Sequence, residues 1–215
     1  AALGLAAVTG DPVVDLQNVS MKGMTFAVLE TLAFDDISEA PLRAFNDSVN
    51  RLKDAGAEIV RIQAPEVARA LSLSGTIYTA EAYGTWKDVI EASPDLMYGE
   101  ILTRFRLGAK VSGPDYVDAW QELEVLRKEW NARVAGFDGV LCSATPNLPP
   151  NVERLQSDHD YYVKENVLAL RNTRIGNLLG LSAVSLPTSV PSCGLMILGQ
   201  PFDEARLLRV SVAAE

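Results

Sequence analysis

The sequence predicts an α/β fold, in which helices flank a mixed, mostly parallel β-sheet. Short apolar runs with strand character alternate with longer segments whose apolar residues recur every three or four positions, and this alternation is typical of helices packed on a sheet. Residues 23–62 read as strand, helix and strand, an order that favours a crossover between parallel strands. The long helical middle, roughly residues 65–133, favours a mixed sheet over a fully parallel one.

The first third of the chain predicts a helix end followed by one complete strand–helix–strand unit. Residues 1–8 read as the end of a helix and residues 23–30 as a strand, because their apolar run is too short for an independent helix. Ser38 is a favoured helix N-cap, and Gly56 is a favoured residue for the helix end. Residues 57–62 then predict the second strand.

The middle of the chain predicts three helices. They cover residues 65–91, residues 97–108 and a longer segment that begins at the turn Ser112–Asp115 and ends at Gly136. The third is the clearest, because its apolar residues recur at helical spacing with charged residues between them. These apolar residues are Val117, Trp120, Leu123, Leu126, Trp130 and Val134.

The last third predicts a buried strand, a surface loop and a closing strand–turn–strand–helix unit. The strand covers residues 139–144, and residues 146–160 predict a loop because Pro, Asn, Ser and Asp are abundant there. An amphipathic run then ends at Gly180, and it is followed by strands at 183–187 and 194–199 and by a helix from about Asp203. Neither an internal repeat nor a linker composition interrupts the chain, so residues 1–215 are predicted to form a single domain.

Composition narrows the function classes. The chain has 215 residues and a formal net charge of −9, which argues against nucleic-acid binding and against docking on an anionic membrane. A single histidine excludes a multi-histidine metal site, and neither a P-loop nor a dinucleotide-binding glycine motif is present. We therefore expect no metal and no cofactor.

Cys142 and Cys193 lie in apolar, strand-like surroundings and are predicted to be buried, inert thiols.

The sequence offers no complete set of groups for nucleophilic catalysis. It lacks both the G-x-S-x-G elbow and the S-x-x-K spacing, and its lysines fall on polar faces or in turns. His159 lies in the polar run 157–160 and is interpreted as a solvated loop histidine. A metal bound by Asp158 and Asp160 is conceivable, but a hydrated loop is the favoured interpretation. We expect no catalytic residue in this chain.

Three residues are candidates for contact with a substrate. Arg104 lies among apolar neighbours on a predicted helix, so it needs either a structural ion pair, the favoured interpretation, or a ligand. Thr173 and Asn177 lie four residues apart and therefore project from one helix face. Their hydroxyl and amide groups suit a pocket, and hydrogen bonding from the helix to a loop is the favoured alternative.

An ordered series of segments resembles the amidase signature family, which consists of serine hydrolases that cleave carboxamide C–N bonds. The series begins at residues 1–12 and continues through Tyr98–Gly108 and Ser143-Ala-Thr-Pro146, which is similar to the P-T-T-P strand end of the family. Most of the resemblance lies in residues 166–215, where Asn172-Thr173, Asn177-Leu178 and the strands after Gly180 match in order.

The resemblance implies a Lys–Ser–Ser mechanism with an acyl-enzyme, but the Gly/Ser-rich segment that bears those residues would precede Ala1. The chain is thus expected to be the C-terminal part of an amidase, inactive alone, with an exposed hydrophobic patch where the sheet is incomplete. By the same resemblance Arg104 corresponds to an arginine that contacts substrate in glutamine-using members. Leu170-Arg171 replaces the acidic contact of those members, which favours less polar amides.

Two alternatives remain open. The chain could be a complete, non-catalytic binding or structural subunit, or it could belong to a tRNA-dependent glutamine amidotransferase as one of its subunits, which needs partner chains. We expect a cytoplasmic protein that acts on a small-molecule amide, and the sequence leaves a homodimer open.

Overall fold

A computed structural model describes residues 1–215, and its centre is a five-stranded sheet. The strands lie in the spatial order β2-β1-β3-β5-β4, where β1 is Thr25–Leu29, β2 Glu58–Ile62, β3 Gly139–Ser143, β4 Ala183–Pro187 and β5 Gly194–Leu198. Strand β1 runs parallel to β2 and β3, whereas β5 runs antiparallel to both β3 and β4. Four strands therefore share one direction and β5 alone opposes them, which confirms the predicted mixed, mostly parallel sheet.

Eight α-helices surround this sheet. Their bounds are α1 Ala2–Thr9, α2 Glu39–Asp54, α3 Pro65–Ala92, α4 Gly99–Leu107, α5 Gly113–Val134, α6 Val152–Ser157, α7 His159–Leu179 and α8 Glu204–Ala214. Two short 3₁₀ turns, Pro94–Leu96 and Gly108–Lys110, flank α4. Helix α1 contains no buried residue, so it adds little to the core.

The helices form one layer on each face of the sheet. Alternate side chains of a strand point to opposite faces, so Phe26 and Val28 of β1 pack into one core while Ala27 and Leu29 pack into the other. The first core is closed by α2 and α8, and the second by α3, α5 and α7. Trp130 of α5 is among the largest fully buried side chains of the second core.

The surface loop predicted over residues 146–160 is only partly correct. Residues 152–157 form α6, and α7 begins at His159. Asn151 accepts a hydrogen bond from the Arg154 amide at 2.8 Å, and Asp158 accepts one from the Tyr161 amide at 3.0 Å. The prediction failed here because Asn and Asp favour both turns and helix N-caps, and in this segment they act as caps.

Candidate functional site

Helix α7 connects the loops that follow β1 and β3. Asn172 is fully buried, and its Nδ2 donates hydrogen bonds to the Ala33 carbonyl at 3.1 Å and to the Ser143 carbonyl at 2.8 Å. Ala33 lies in the loop after β1, and Ser143 is the last residue of β3. One amide group therefore holds two strand ends and α7 in a fixed arrangement.

Arg171 reinforces the attachment of the loop after β1. Its Nη2 donates to the same Ala33 carbonyl at 3.2 Å. Burial lowers the pKa of the Arg171 guanidinium, while the nearby carboxylates of Asp35 and Asp36 oppose that shift. Asp36 itself has a φ of 50°, a left-handed conformation that is uncommon for a residue other than glycine. The loop is thus held in an unusual shape by contacts with α7.

The loop after β3 is fixed to α7 by a second buried asparagine. Asn147 Nδ2 donates to the Glu165 Oε2 at 2.7 Å and to the Glu165 carbonyl at 3.2 Å. The Ser38 amide donates to the Pro146 carbonyl at 2.8 Å, so the two loops also contact each other. The carboxyl ends of β1 and β3 consequently form a single hydrogen-bonded surface with α7.

Arg104 extends this surface from the neighbouring helix α4. Its Nη1 donates to Asn166 Oδ1 at 2.6 Å, and its guanidinium carbon lies 5.7 Å from the centre of the Tyr162 ring. Both partners are on α7. The predicted structural ion pair is wrong, because the partner of Arg104 is a neutral amide and no carboxylate forms a salt bridge with this guanidinium. Most N–H groups of Arg104 are therefore available to another acceptor.

Thr173 and Asn177 lie on one exposed flank of α7, as their spacing predicts. The predicted helix-to-loop hydrogen bond is wrong for Thr173, since its hydroxyl donates to the Leu170 carbonyl of its own helix at 3.1 Å. Residues at spacings of three and four share this flank, which we call the free flank of α7. It consists of Tyr162, Asn166, Leu170, Thr173 and Asn177.

The free flank brings the three predicted contact residues to one side of the molecule. Asn166, which holds Arg104, and Asn177 are eleven residues apart, or about 16 Å along the helix. Arg104 therefore lies near one end of the flank and Asn177 near the other. The free flank and Arg104 together form an elongated surface, which we call the wall. It has a positive charge at one end and amide and hydroxyl groups along its length.

No serine hydroxyl donates a hydrogen bond to a lysine or a histidine. Every lysine is exposed, so none is desolvated in the way that a basic lysine requires. His159 lies in the first turn of α7 and not in a loop as predicted, and its Nδ1 is 3.1 Å from Glu100 Oε1. The serine hydroxyls that donate hydrogen bonds do so to backbone carbonyls or carboxylates. These serines are Ser48, Ser72, Ser74, Ser112, Ser143, Ser157, Ser182 and Ser211.

Both cysteines are buried and unpaired, as predicted. Burial raises the pKa of the Cys142 thiol to about 12 and also raises the pKa of Cys193. A thiol with a raised pKa carries little nucleophilic thiolate near neutral pH. The structure thus agrees with the interpretation of both residues as inert.

Three asparagines organise the wall, and none of them was among the candidates from the sequence. Asn172 had a usable signal, because it is separated from Leu168, Ile175 and Leu179 by four, three and seven residues and so lies on the apolar face of α7. A buried amide on such a face needs hydrogen-bond partners. Asn147 and Asn166 had no such signal, because their partners are fixed only by the tertiary structure.

None of the helices is both long enough and apolar enough to cross a membrane.

The fold defines the class of protein. One solved amidase matches all of this chain and 49% of its own length, with a TM-score of 0.78 at 19% identity. A solved subunit of the glutamyl-tRNA(Gln) amidotransferase of Thermotoga maritima matches 95% of this chain and 45% of its own, with a TM-score of 0.73 at 22% identity. The sheet and its helical layers are therefore an amidase-type α/β fold.

Sequence comparison gives the family. The Amidase family model matches residues 8–208, so the chain belongs to the amidase family. An amidase of Pseudomonas putida is 28% identical over 201 residues, which are 91% of this chain and 43% of that protein. The 2-amino-5-chloromuconic acid deaminase of Comamonas testosteroni is 27% identical over 205 residues, 92% of this chain and 44% of that protein. The chain spans less than half the length of these relatives.

Proposed function

We propose that this chain is the non-catalytic portion of a carboxamide hydrolase, and that it supplies the sheet, the helical layers and one wall of the substrate pocket. The observation that carries the proposal is the family match over residues 8–208 in a chain whose serine hydroxyls bond to neither a lysine nor a histidine. The attacking groups would then lie outside residues 1–215.

The reaction follows from the resemblance to the amidase signature family. A lysine removes a proton from a nucleophilic serine through a bridging serine, and the serine oxygen attacks the amide carbonyl. The C–N bond breaks, the amine leaves with a proton, and water hydrolyses the acyl-enzyme to the carboxylic acid. Backbone N–H groups stabilise the negative charge on the carbonyl oxygen during both steps.

The free flank of α7 supports a pocket for amides of low polarity. Leu170 is 47% exposed in the middle of this flank, where a substrate with an apolar side chain would contact it. Thr173 and Asn177 would orient a polar group beside it, and Arg104 would bind an acceptor at the far end. By resemblance, glutamine-using relatives carry an acidic contact in this region, and here the residues are Leu170 and Arg171.

A second candidate function is membership of a tRNA-dependent amidotransferase. Several relatives are glutamyl-tRNA(Gln) amidotransferase subunits, and the one from Rhizobium leguminosarum bv. trifolii is 28% identical over 226 residues. Co-purification of a second subunit with the native gene product would favour this function. A native product of about 23 kDa made from its own start codon would favour the third candidate, a complete binding subunit.

The two free, buried cysteines support a cytoplasmic location, because reducing compartments preserve unpaired thiols. Secretion of the native product into an oxidising compartment would contradict this part of the proposal.

A fluorophosphonate probe tests whether the nucleophile lies outside this chain. The probe should label the product of the native gene, isolated from its source cells, at one serine per molecule. The 215-residue chain, which has the same core, should remain unlabelled. Stoichiometric labelling of a serine within residues 1–215 would contradict the proposal.

Substitution of Arg104 tests the substrate wall. In the native gene product, Arg104→Leu should raise KM about tenfold and leave kcat nearly unchanged, because the guanidinium would bind substrate without taking part in bond breaking. Arg106→Leu is the matched control, since Arg106 lies on the same helix and its guanidinium is bound to Glu91 at 2.7 and 2.9 Å. Equal effects of the two substitutions on KM would exclude Arg104 as a specific contact.

A further inference from the structure

Helix α4 is anchored to α3 at its carboxyl end. Gly108, the residue that follows α4, lies so close to α3 that a Cβ atom there would overlap the Thr79 carbonyl oxygen and lie 2.8 Å from the Tyr83 Cβ. Arg106 adds a pair of hydrogen bonds to Glu91 of α3, at 2.7 and 2.9 Å. The carboxyl end of α4 is therefore held by close backbone packing, which only glycine permits, and by an ion pair.

The amino half of α4 is attached to α7 through side chains. Glu100 Oε1 lies 3.1 Å from His159 Nδ1. The ring of Tyr98, the residue before α4, meets the Tyr162 ring edge-on at a centroid distance of 5.7 Å. Contacts of this kind between partly exposed groups are individually weak, so the attachment to α7 is weaker than the anchor on α3.

Helix α4 depends on its neighbours for its shape. It has nine residues, fewer than the roughly 12–15 that an isolated helix needs in water. None of them is fully buried, and its apolar residues Ile101, Leu102 and Phe105 are only partly covered. The amino half of α4 should consequently open more readily than the end that Gly108 and Arg106 anchor.

Arg104 lies between the anchored end of α4 and the attached half. Its one hydrogen-bond acceptor is Asn166 Oδ1, at 2.6 Å, and its guanidinium lies over the Tyr162 ring. Both partners are neutral, so they orient the guanidinium and leave its charge uncompensated. A carboxylate at position 166 would hold the same group and cancel its charge. An amide at this position thus combines a fixed place for Arg104 with an available charge.

We propose that Asn166 is a positioning residue, which fastens the amino half of α4 to α7 and so places a charged Arg104 at the end of the wall. This inference rests on the proposed function and deepens it, because it names what sets the place and the charge of Arg104. When the bond to Asn166 opens, α4 pivots about the anchor at Gly108 and Arg104 leaves the wall. Substrate affinity therefore depends on the fraction of molecules in which the bond is closed.

Hydrogen exchange of backbone amides tests the attachment in the 215-residue chain. Asn166→Ala should raise the exchange rate of the α4 amides about tenfold, because this short helix loses the bond that fastens it. Asn166→Asp retains an acceptor for Arg104 and should not raise that rate. Lys164→Gln is the matched control, since Lys164 lies exposed on the same turn of α7, and it should leave the rate unchanged.

Kinetics of the native gene product test the role of Asn166 in substrate binding. Asn166→Ala should raise KM about tenfold at nearly constant kcat, and it should have no further effect in the Arg104→Leu background, because the two side chains act as a unit. Asn166→Asp should also raise KM, since it neutralises a guanidinium that the amide leaves charged. Lys164→Gln should leave KM unchanged.

The two measurements can each overturn the inference. An α4 exchange rate that Asn166→Ala leaves unchanged would show that other contacts hold the helix. An equal rise in KM on Asn166→Ala with and without Arg104 would show that Asn166 acts independently of the guanidinium. A KM unaffected by Asn166→Asp would show that the free charge is not needed.

The Arg104→Leu variant separates this inference from the proposed function. If that substitution leaves KM unchanged, the proposed contact between Arg104 and substrate is wrong. Hydrogen exchange in the 215-residue chain still decides whether Asn166 fastens α4, because it requires no substrate.

Discussion

At the scale of single residues, Asn172 determines how the loops at the carboxyl ends of β1 and β3 are arranged. It is completely buried, and both protons of its amide are donated to carbonyl oxygens of different segments. Buried carbonyl groups that lose such donors cannot bind water in their place. The geometry of the wall therefore depends on one side chain more than on any of the exposed residues beside it.

Asn172→Ala should lower the free energy of unfolding by about 2–3 kcal/mol, because it removes two buried hydrogen bonds and leaves the Ser143 carbonyl without this donor, while Arg171 still donates to the Ala33 carbonyl. Thr173→Ala, the adjacent position on the exposed flank, should change it by less than about 0.5 kcal/mol. Urea denaturation of both variants measures the difference. A cost for Asn172→Ala no larger than that of the control would show that the loops are held by other contacts.

Cys142 makes stability depend on alkaline pH. Burial raises the pKa of its thiol to about 12 in the folded chain, from an ordinary value of 9.0. Between these values the unfolded chain releases the proton and the folded chain keeps it, so stability is lost as pH rises. The contribution is a slope of about 1.4 kcal/mol per pH unit. Cys142→Ala should remove this slope from denaturation curves between pH 9 and 12, and an unchanged slope would contradict the assignment.

At the scale of secondary-structure elements, sequence patterns predict most of the fold but not the junction between α6 and α7. The start of α5 was predictable because Ser112 is a strong cap residue, and its Oγ does accept the Asp115 amide hydrogen at 3.1 Å. The start of α7 was not predictable, because the residue types that cap helices also form turns.

The sequence likewise shows that Arg104 needs a partner, but it does not show which one. Asn166 lies 62 positions away and is brought close only by the packing of α4 on α7.

The packing of α3 against α5 depends on a buried ion pair. Glu66, in the first turn of α3, is 1% exposed and accepts two hydrogen bonds from Arg133 in the last turn of α5, at 2.5 and 3.0 Å. Removal of one partner leaves the other charge uncompensated, although Arg133 is partly exposed and can recover some hydration.

Glu66→Gln should therefore cost about 2 kcal/mol of unfolding free energy, below the roughly 3–5 kcal/mol of a fully buried pair. Glu122→Gln is the control, because its salt bridge with Arg69 is exposed and should contribute less than about 0.5 kcal/mol. Thermal or urea denaturation measures both variants. Similar costs at the two sites would show that burial does not strengthen the Glu66 pair.

At the scale of the whole molecule, the two edges of the sheet differ in charge. Edge strand β2 carries Glu58 and Arg61, whereas edge strand β4 contains no charged residue. The sequence predicts an exposed apolar patch beside an incomplete sheet. The exposed side chains on β4 are small, so this strand does not carry such a patch. The chain belongs to the amidase family, and under the proposed function α7 and Arg104 would form one side of a substrate pocket.

The most direct test of this account is amide and ester hydrolysis by the purified 215-residue chain. With simple aliphatic amides, aromatic amides and nitrophenyl esters, we predict a rate equal to that of buffer, because no serine hydroxyl in this chain donates a hydrogen bond to a lysine or a histidine. Turnover that a single serine or lysine substitution abolishes would contradict the account, since the attacking group would then lie within residues 1–215.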